Sequence, residues 1–171
     1  QKLFADWTPR VAYAPISSHY TAVASEHRSF ETPDKSNAVF VARANLPLND
    51  DNPDYAALVV ANQIFGGGGL KSRLADRVRQ KDGLSYTIGS GLNADTSRDG
   101  KDDAGSFAIQ AIAAPQNMAK VEADVREELD RLIRDGITAE ELADTVSGML
   151  TQRAQSRASD GSIVGMLNGD Q

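Results

Sequence analysis

The longest regular pattern in the chain is a stripe of apolar residues stepping by three or four, Met118, Val121, Val125, Leu129 and Leu132, with charged residues between them. That spacing predicts an amphipathic helix with one buried face, opened by Asn117 as N-cap and ended by Gly136, which is free to take the left-handed conformation common after a helix. Thr138 with Glu141 three residues on is a capping box, and Leu142, Val146, Met149 and Leu150 carry a second stripe to about Ser156. The two helices form a hairpin. Upstream, Leu84, Tyr86, Ile88, Ser90 and Leu92 alternate with Ser85, Thr87, Gly89 and Gly91, a period of two that predicts a strand with Tyr86 on its more apolar face. Asn93 to Gly105, rich in Asp and Gly, is a hairpin loop, and Phe107, Ile109 and Ala111 mark the return strand, closed by Pro115.

Ala38 to Ala44 (AVFVARA) is a nearly continuous apolar run, as expected of a strand buried on both faces, and Val23 to Arg28 is a weaker strand placed to pair with it. Pro47 to Asp54 is turn chemistry, in which Asn52 and Pro53 supply an N-cap and a first-position proline for a helix running to about Phe65, with Gly66 as its stop. Ser72 caps a short helix that buries Leu74 and Val78 and ends at Gly83. Residues 1–20 hold no sustained period and carry Pro9 and Pro15, so they read as a leading segment over the surface. Strands paired in hairpin fashion with helices gathered on one face define an α+β fold, mainly antiparallel, rather than a doubly wound parallel sheet.

Composition narrows the picture without redirecting it. The 171 residues suit one domain, residues 1–171, and the hydrophobic share of 40% and charged share of 25% are those of an ordinary globular protein. No apolar run approaches the roughly 20 residues that span a bilayer, so no membrane partner is expected. A net charge of −6 with dispersed lysines and arginines argues against nucleic acid. Without cysteine there is neither a disulfide nor a thiolate metal site. The chain opens on Gln1 and stops soon after Gly161-Ser-Ile-Val-Gly-Met-Leu167, which reads as the start of another helix, so a fragment of a longer protein is expected.

Most familiar constellations fail in detail. Gly66 to Ser72 (GGGGLKS) evokes a phosphate loop, but Leu70 stands where that motif needs glycine, and a helix precedes it where a strand is required. The four glycines Gly66, Gly67, Gly68 and Gly69 serve either as a hinge or close backbone approach to a ligand, or as a plain connector between helices. The two histidines, His19 and His27, lie in an irregular segment with no helical zinc spacing, and no nucleophile-elbow Gly-x-Ser-x-Gly is present. Arg79 and Tyr86 are different. Gly83 permits a sharp reversal between the helix that ends near one and the strand that carries the other, so their tips can converge. A guanidinium and a phenol together suit gripping a peptide carbonyl and stabilising a developing oxyanion. The bland reading pairs Arg79 with Asp76 or Asp82 and packs Tyr86 in the core.

The order of blocks along most of the chain resembles the pitrilysin/insulinase family of zinc metallopeptidases, including its mitochondrial processing peptidase branch and the bacterial two-domain zinc proteases. The blocks are Phe4-Ala5-Asp6-Trp7, the Asp54 to Gly69 helix with its glycine end, Ser72-Arg73-Leu74, Arg79, Gly83-Leu84-Ser85-Tyr86, Ala114-Pro115-Gln116-Asn117, and the helix start from Gly136 to Leu142. Members of that family pair homologous α+β domains around a peptide chamber, and only the N-terminal type carries His-x-x-Glu-His. The resemblance therefore implies a C-terminal, non-metal domain with no cofactor of its own. Zinc would sit in a partner N-terminal domain, on the same or a separate chain, with a peptide or unfolded protein as substrate. It further implies that Arg79 holds a substrate carbonyl and Tyr86 steadies the tetrahedral intermediate formed by zinc-bound hydroxide. Gly66 to Gly69 would line the substrate's path, a closing helix and strand would follow residue 171, and the location would be periplasmic or secreted. A noncatalytic scaffold or interaction domain of the same descent is the alternative.

Overall fold

The computed structural model describes residues 8, 10–12, 14, 16–96 and 102–169. The Phe4 to Trp7 block lies outside the described residues. A three-stranded antiparallel sheet is built from β1 (Ala38–Pro47), β2 (Ser85–Asn93) and β3 (Ala104–Ala113) in the order β1-β3-β2. Every strand of β1 and β2 register is set against β3, from Ala38 opposite Ala113 to Pro47 opposite Ala104, and from Ser85 opposite Ala113 to Asn93 opposite Ser106. Helices α1 (Tyr55–Asn62), α2 (Met118–Asp135), α3 (Ala139–Ser156) and α4 (Asp160–Gly169) complete the fold together with a short helix at residues 73–81.

The core lies between one face of the sheet and these helices. Phe65, Leu74 and Val78 from the helical connection, Ile88, Ile109, Ala111 and Ala113 from the sheet, and Val121 and Val125 from α2 form one buried cluster. Phe65 and Phe107 meet with ring centroids 6.1 Å apart, a tilted aromatic contact of the usual separation. The antiparallel sheet with helices on one face agrees with the pattern of periods, whereas α3 follows α2 after a short turn but packs on α1 and Gln63–Gly67, and its stripe of Leu142, Val146 and Leu150 stays exposed. Gly136 takes φ 73 and Gly83 φ 61, and the Thr138–Glu141 capping box is complete in both directions.

Several local expectations are corrected. Residues 23–28 form no strand, and residues 16–36 are exposed almost throughout; with Val23 as its one large aliphatic residue, the 23–28 stretch has no stripe to bury. β1 is an edge strand buried on one face only, with Val39 57% and Val41 62% exposed, because helices cover only the other side. Asn52 does not cap α1. Its Oδ1 accepts from the Asp54 backbone N–H at 2.9 Å, shaping the turn before Asp54, which occupies the cap position. Asn117 stands at the cap of α2, yet its side chain donates to the Leu84 carbonyl at 3.4 Å instead.

Gly66 does not stop a helix either. The chain continues through a π-helical turn, Gln63–Gly67, and the left-handed residue is Gly69 at φ 65. A Cβ at Gly66 would lie 2.5 Å from Ser90 Oγ and 2.6 Å from the Ser90 backbone nitrogen, so glycine here lets the turn sit directly on β2. The largest correction concerns Tyr86. The register passes from Ser85 opposite Ala113 to Thr87 opposite Ile112, leaving Tyr86 as the extra residue of a β-bulge. A bulge resets the alternation, and Tyr86 is 82% exposed rather than on the apolar face.

Candidate functional site

The site is assembled by a short helix and a tight reversal. Ser72, fully buried, caps residues 73–81: its Oγ donates to the Gly69 carbonyl at 2.9 Å and accepts from the Ala75 N–H at 3.3 Å. Leu74 and Val78 anchor the inner side of the helix, which is π-wound over Ala75–Lys81. At its end the Asp82 N–H reaches the Arg77 carbonyl at 3.1 Å and the Leu84 N–H reaches the Val78 carbonyl at 2.9 Å, with Gly83 left-handed between them. This closure brings the chain back beside its own last turn. The bulge then turns Tyr86 outward, and the Arg79 guanidinium carbon stands 4.9 Å from the Tyr86 ring centroid, within the range of a cation–π contact.

The acids that the bland reading offers to Arg79 are engaged elsewhere. Asp76 accepts from the Gln80 side chain at 2.7 Å, and Asp82 accepts from Lys120 and lies 3.6 Å from Arg77. The Lys120 hydrogen bond holds the Asp82 carboxyl below its ordinary range. Among the described residues Arg79 makes no ion pair. Beneath it, Arg77 binds Asp124 at 3.1 Å and Glu127 at 2.8 Å, fastening the helix to α2.

The glycines fall elsewhere. Gly66 is buried against β2, while Gly67, Gly68 and Gly69 are exposed. Gly68 lines a cavity of about 780 Å³ together with Gln63, Leu70, Arg73, Glu141 and Gly148, and neither Arg79 nor Tyr86 reaches it. The structure thus brings Arg79 and Tyr86 together and leaves the glycines apart from them. One arrangement that sequence reasoning missed borders that cavity. Arg73 Nε and Nη2 grip Glu141 at 2.6 and 2.8 Å, and Nη2 also donates to the Gly136 carbonyl at 2.8 Å. Glu141 was legible only as a helix cap, because nothing local signals its partner 68 residues upstream.

Among the described residues no group of three or more His, Cys, Asp or Glu side chains stands close enough to hold a metal ion. His19 lies 3.8 Å from Asp103 and His27 3.4 Å from Glu122, each beside a single carboxylate. These residues do not fit a zinc site.

A three-stranded antiparallel sheet backed by helices thus presents, at a helix-to-strand reversal, the contact between Arg79 and Tyr86. The comparison with known sequences gives the family. Residues 1–149 match the family described as peptidase M16 inactive domain, and the chain belongs to it. It is 36% identical over 75 residues to an uncharacterized zinc protease of Mycobacterium tuberculosis, a match covering 44% of this chain and 16% of that protein. Among solved structures, the peptidase M16 inactive domain from Pseudomonas fluorescens aligns at a TM-score of 0.65 and 32% identity, covering 78% of this chain and 30% of that one. The periplasmic protease PqqL from Escherichia coli aligns at a TM-score of 0.59 over 87% of this chain and 15% of its own; at 14% identity it shares the fold alone. The match thus spans well under a fifth of the curated relative's length.

Proposed function

We propose that this chain is the substrate-gripping, catalytically incomplete domain of a zinc metalloendopeptidase, and that Arg79 and Tyr86 act on a peptide bond held at the metal site of a partner domain. The observation that carries this reading is the contact of Arg79 with the exposed Tyr86 ring, with no carboxylate paired to that guanidinium among the described residues. An unpaired guanidinium keeps its donors available for a substrate carbonyl, and stacking on the phenol limits its motion before substrate arrives. The Tyr86 hydroxyl, presented to solvent, is available to donate to an oxygen that gains negative charge during bond cleavage. Zinc belongs to the partner domain in this reading, since no donor group among the described residues fits it.

Placement in the periplasm is part of the proposal. It draws on the fold shared with a protease titled periplasmic. No helix among the described residues is long and apolar enough to cross a membrane.

The test uses the full-length protein. Tyr86→Phe removes one donor and leaves the ring on which Arg79 stacks. It should lower kcat by about 10²-fold with little change in KM, the effect of losing an oxyanion donor. Steady-state kinetics on a quenched fluorescent peptide measures it, and undiminished turnover overturns the role given to Tyr86.

A further inference from the structure

The face of the sheet turned away from the helices differs in charge from the rest of this acidic chain. No carboxylate occupies an outward position on any of the three strands, and the one charged residue the strands place there is Arg43. Arg43 is exposed and, among the described residues, makes no ion pair or side-chain hydrogen bond. Other arginines, including Arg28, Arg73, Arg77, Arg126 and Arg134, have carboxylate partners within 3.1 Å. Among the described residues Arg43 thus shares with Arg79, and with Arg153 and Arg157, a guanidinium without a carboxylate partner.

The register places the two relative to one another. Arg43 stands opposite Ala108, and Ala108 opposite Gly91, so nothing taller than a methyl group separates Arg43 from the outer edge of β2 in that row. Tyr86 sits beside the row of Val39, Ile112 and Thr87, four residues along the strands and two strands across. At about 3.4 Å per residue and about 4.8 Å per strand, that diagonal is roughly 17 Å, the span of about five residues of extended peptide. Between the two points the face is open and part-apolar, with Val41 and Ile112 exposed.

We infer that this face receives the substrate in extended form from the Arg79–Tyr86 pair toward Arg43, and that Arg43 selects for an aspartate or glutamate side chain about five residues from the bond held at the pair. The inference rests on the proposed peptidase role and names its substrate class: peptides with a carboxylate at one fixed distance. A positive guanidinium on an acid-free face attracts a carboxylate at low ionic cost and repels lysine or arginine there, so the charge acts on choice of substrate more than on overall affinity.

The experiment takes the full-length protein and a set of peptides blocked at both ends, each carrying one glutamate at a successive position on either side of the scissile bond, against glutamine at the same place. The expected result is one position at which glutamate raises kcat/KM about fivefold, the size of an exposed charge pair, and less so in high salt. That ratio should vanish in Arg43→Ala, persist in Arg43→Lys, and invert in Arg43→Glu, which should favour lysine there. A ratio near one in the wild type, a ratio that Arg43→Ala and Arg43→Glu leave alone, or a preference that appears only with an unblocked C-terminal carboxylate overturns the inference. Fluorescence anisotropy of the same peptides separates it from the peptidase reading. Arg43-dependent tighter binding of the glutamate peptide without any cleavage sinks the catalytic role and keeps this surface. Cleavage with no glutamate preference does the reverse, and neither cleavage nor preferential binding sinks both.

Discussion

Arg73 and Arg79 stand on the same short helix, and the chain treats them in opposite ways. Arg73, with its side chain 12% exposed, is bound by Glu141 through both nitrogens of one edge and by the Gly136 carbonyl, so it joins the helix to the α2–α3 corner. Arg79 has a phenol ring beside it and, among the described residues, no ion pair. A guanidinium inside a protein is costly unless its donors are met; Arg73 meets that cost through Nε and Nη2 while its Nη1 stays buried without a partner, and Arg79, half-buried, keeps part of its side chain at the surface. On the proposed reading, the difference separates a cation used for structure from one kept for a ligand. The interactions of Arg73 and Arg77 hold the helix in place, and the position of Arg79 over Tyr86 follows from it.

Removing the structural cation should have the larger effect. Arg73→Ala strands Glu141 in a half-buried corner and leaves the Gly136 carbonyl without its donor. A loss of about 2 kcal/mol is expected for charge-assisted bonds of this kind, read as a lower urea midpoint for the chain. An unchanged midpoint would mean that the clamp is incidental and that the contrast with Arg79 is without content.

The same clamp should impose a pH dependence. The Arg73 guanidinium draws the Glu141 carboxyl down to about 2 from its ordinary value of 4.5, helped by the Thr138 backbone N–H, and burial opposes the shift. A carboxyl whose folded pKa lies below its unfolded one stabilises the fold fully above the unfolded value and loses that contribution as pH falls through the folded one. The window is therefore about pH 4.5 down to about 2. The wild-type urea midpoint should fall more steeply across it than that of Arg73→Ala, in which Glu141 titrates close to its ordinary value. Parallel acid limbs in the two proteins would remove Glu141 from the account.

How much of this contrast was legible along the chain depended on how local its cause was. The α2 stripe, the Thr138–Glu141 box, Gly83 and Gly136 each declare themselves within a turn of helix or a few residues, and those elements stand where the periods put them. The exposure of one β1 face depends on which side the helices cover. The outward turn of Tyr86 depends on a shift in register against β3, and the place of Gly66 on a strand two dozen residues further on. None of these has a local signature. Arg79 and Tyr86 could be singled out from their spacing across Gly83, whereas Arg43 passed unremarked within an apolar run, and only the pairing with Ala108 places it on the outward face of the sheet.

The smallest expected effect tests the other half of the comparison. Arg79→Ala removes a cation with no ion pair, so the fold loses one exposed cation–π contact worth about 0.5–1 kcal/mol at most. The urea midpoint should move far less than it does in Arg73→Ala, and the acid limb should match the wild type because no carboxylate depends on Arg79. In the full-length protein the same substitution should nonetheless raise KM for peptide, since the lost donors are those offered to a substrate carbonyl. A residue serving structure shows the converse, a fall in stability with binding untouched among molecules that remain folded. Should Arg79→Ala destabilise the chain as much as Arg73→Ala, the two arginines would be equivalent supports of one helix, and the absence of an acid beside Arg79 would carry no functional meaning.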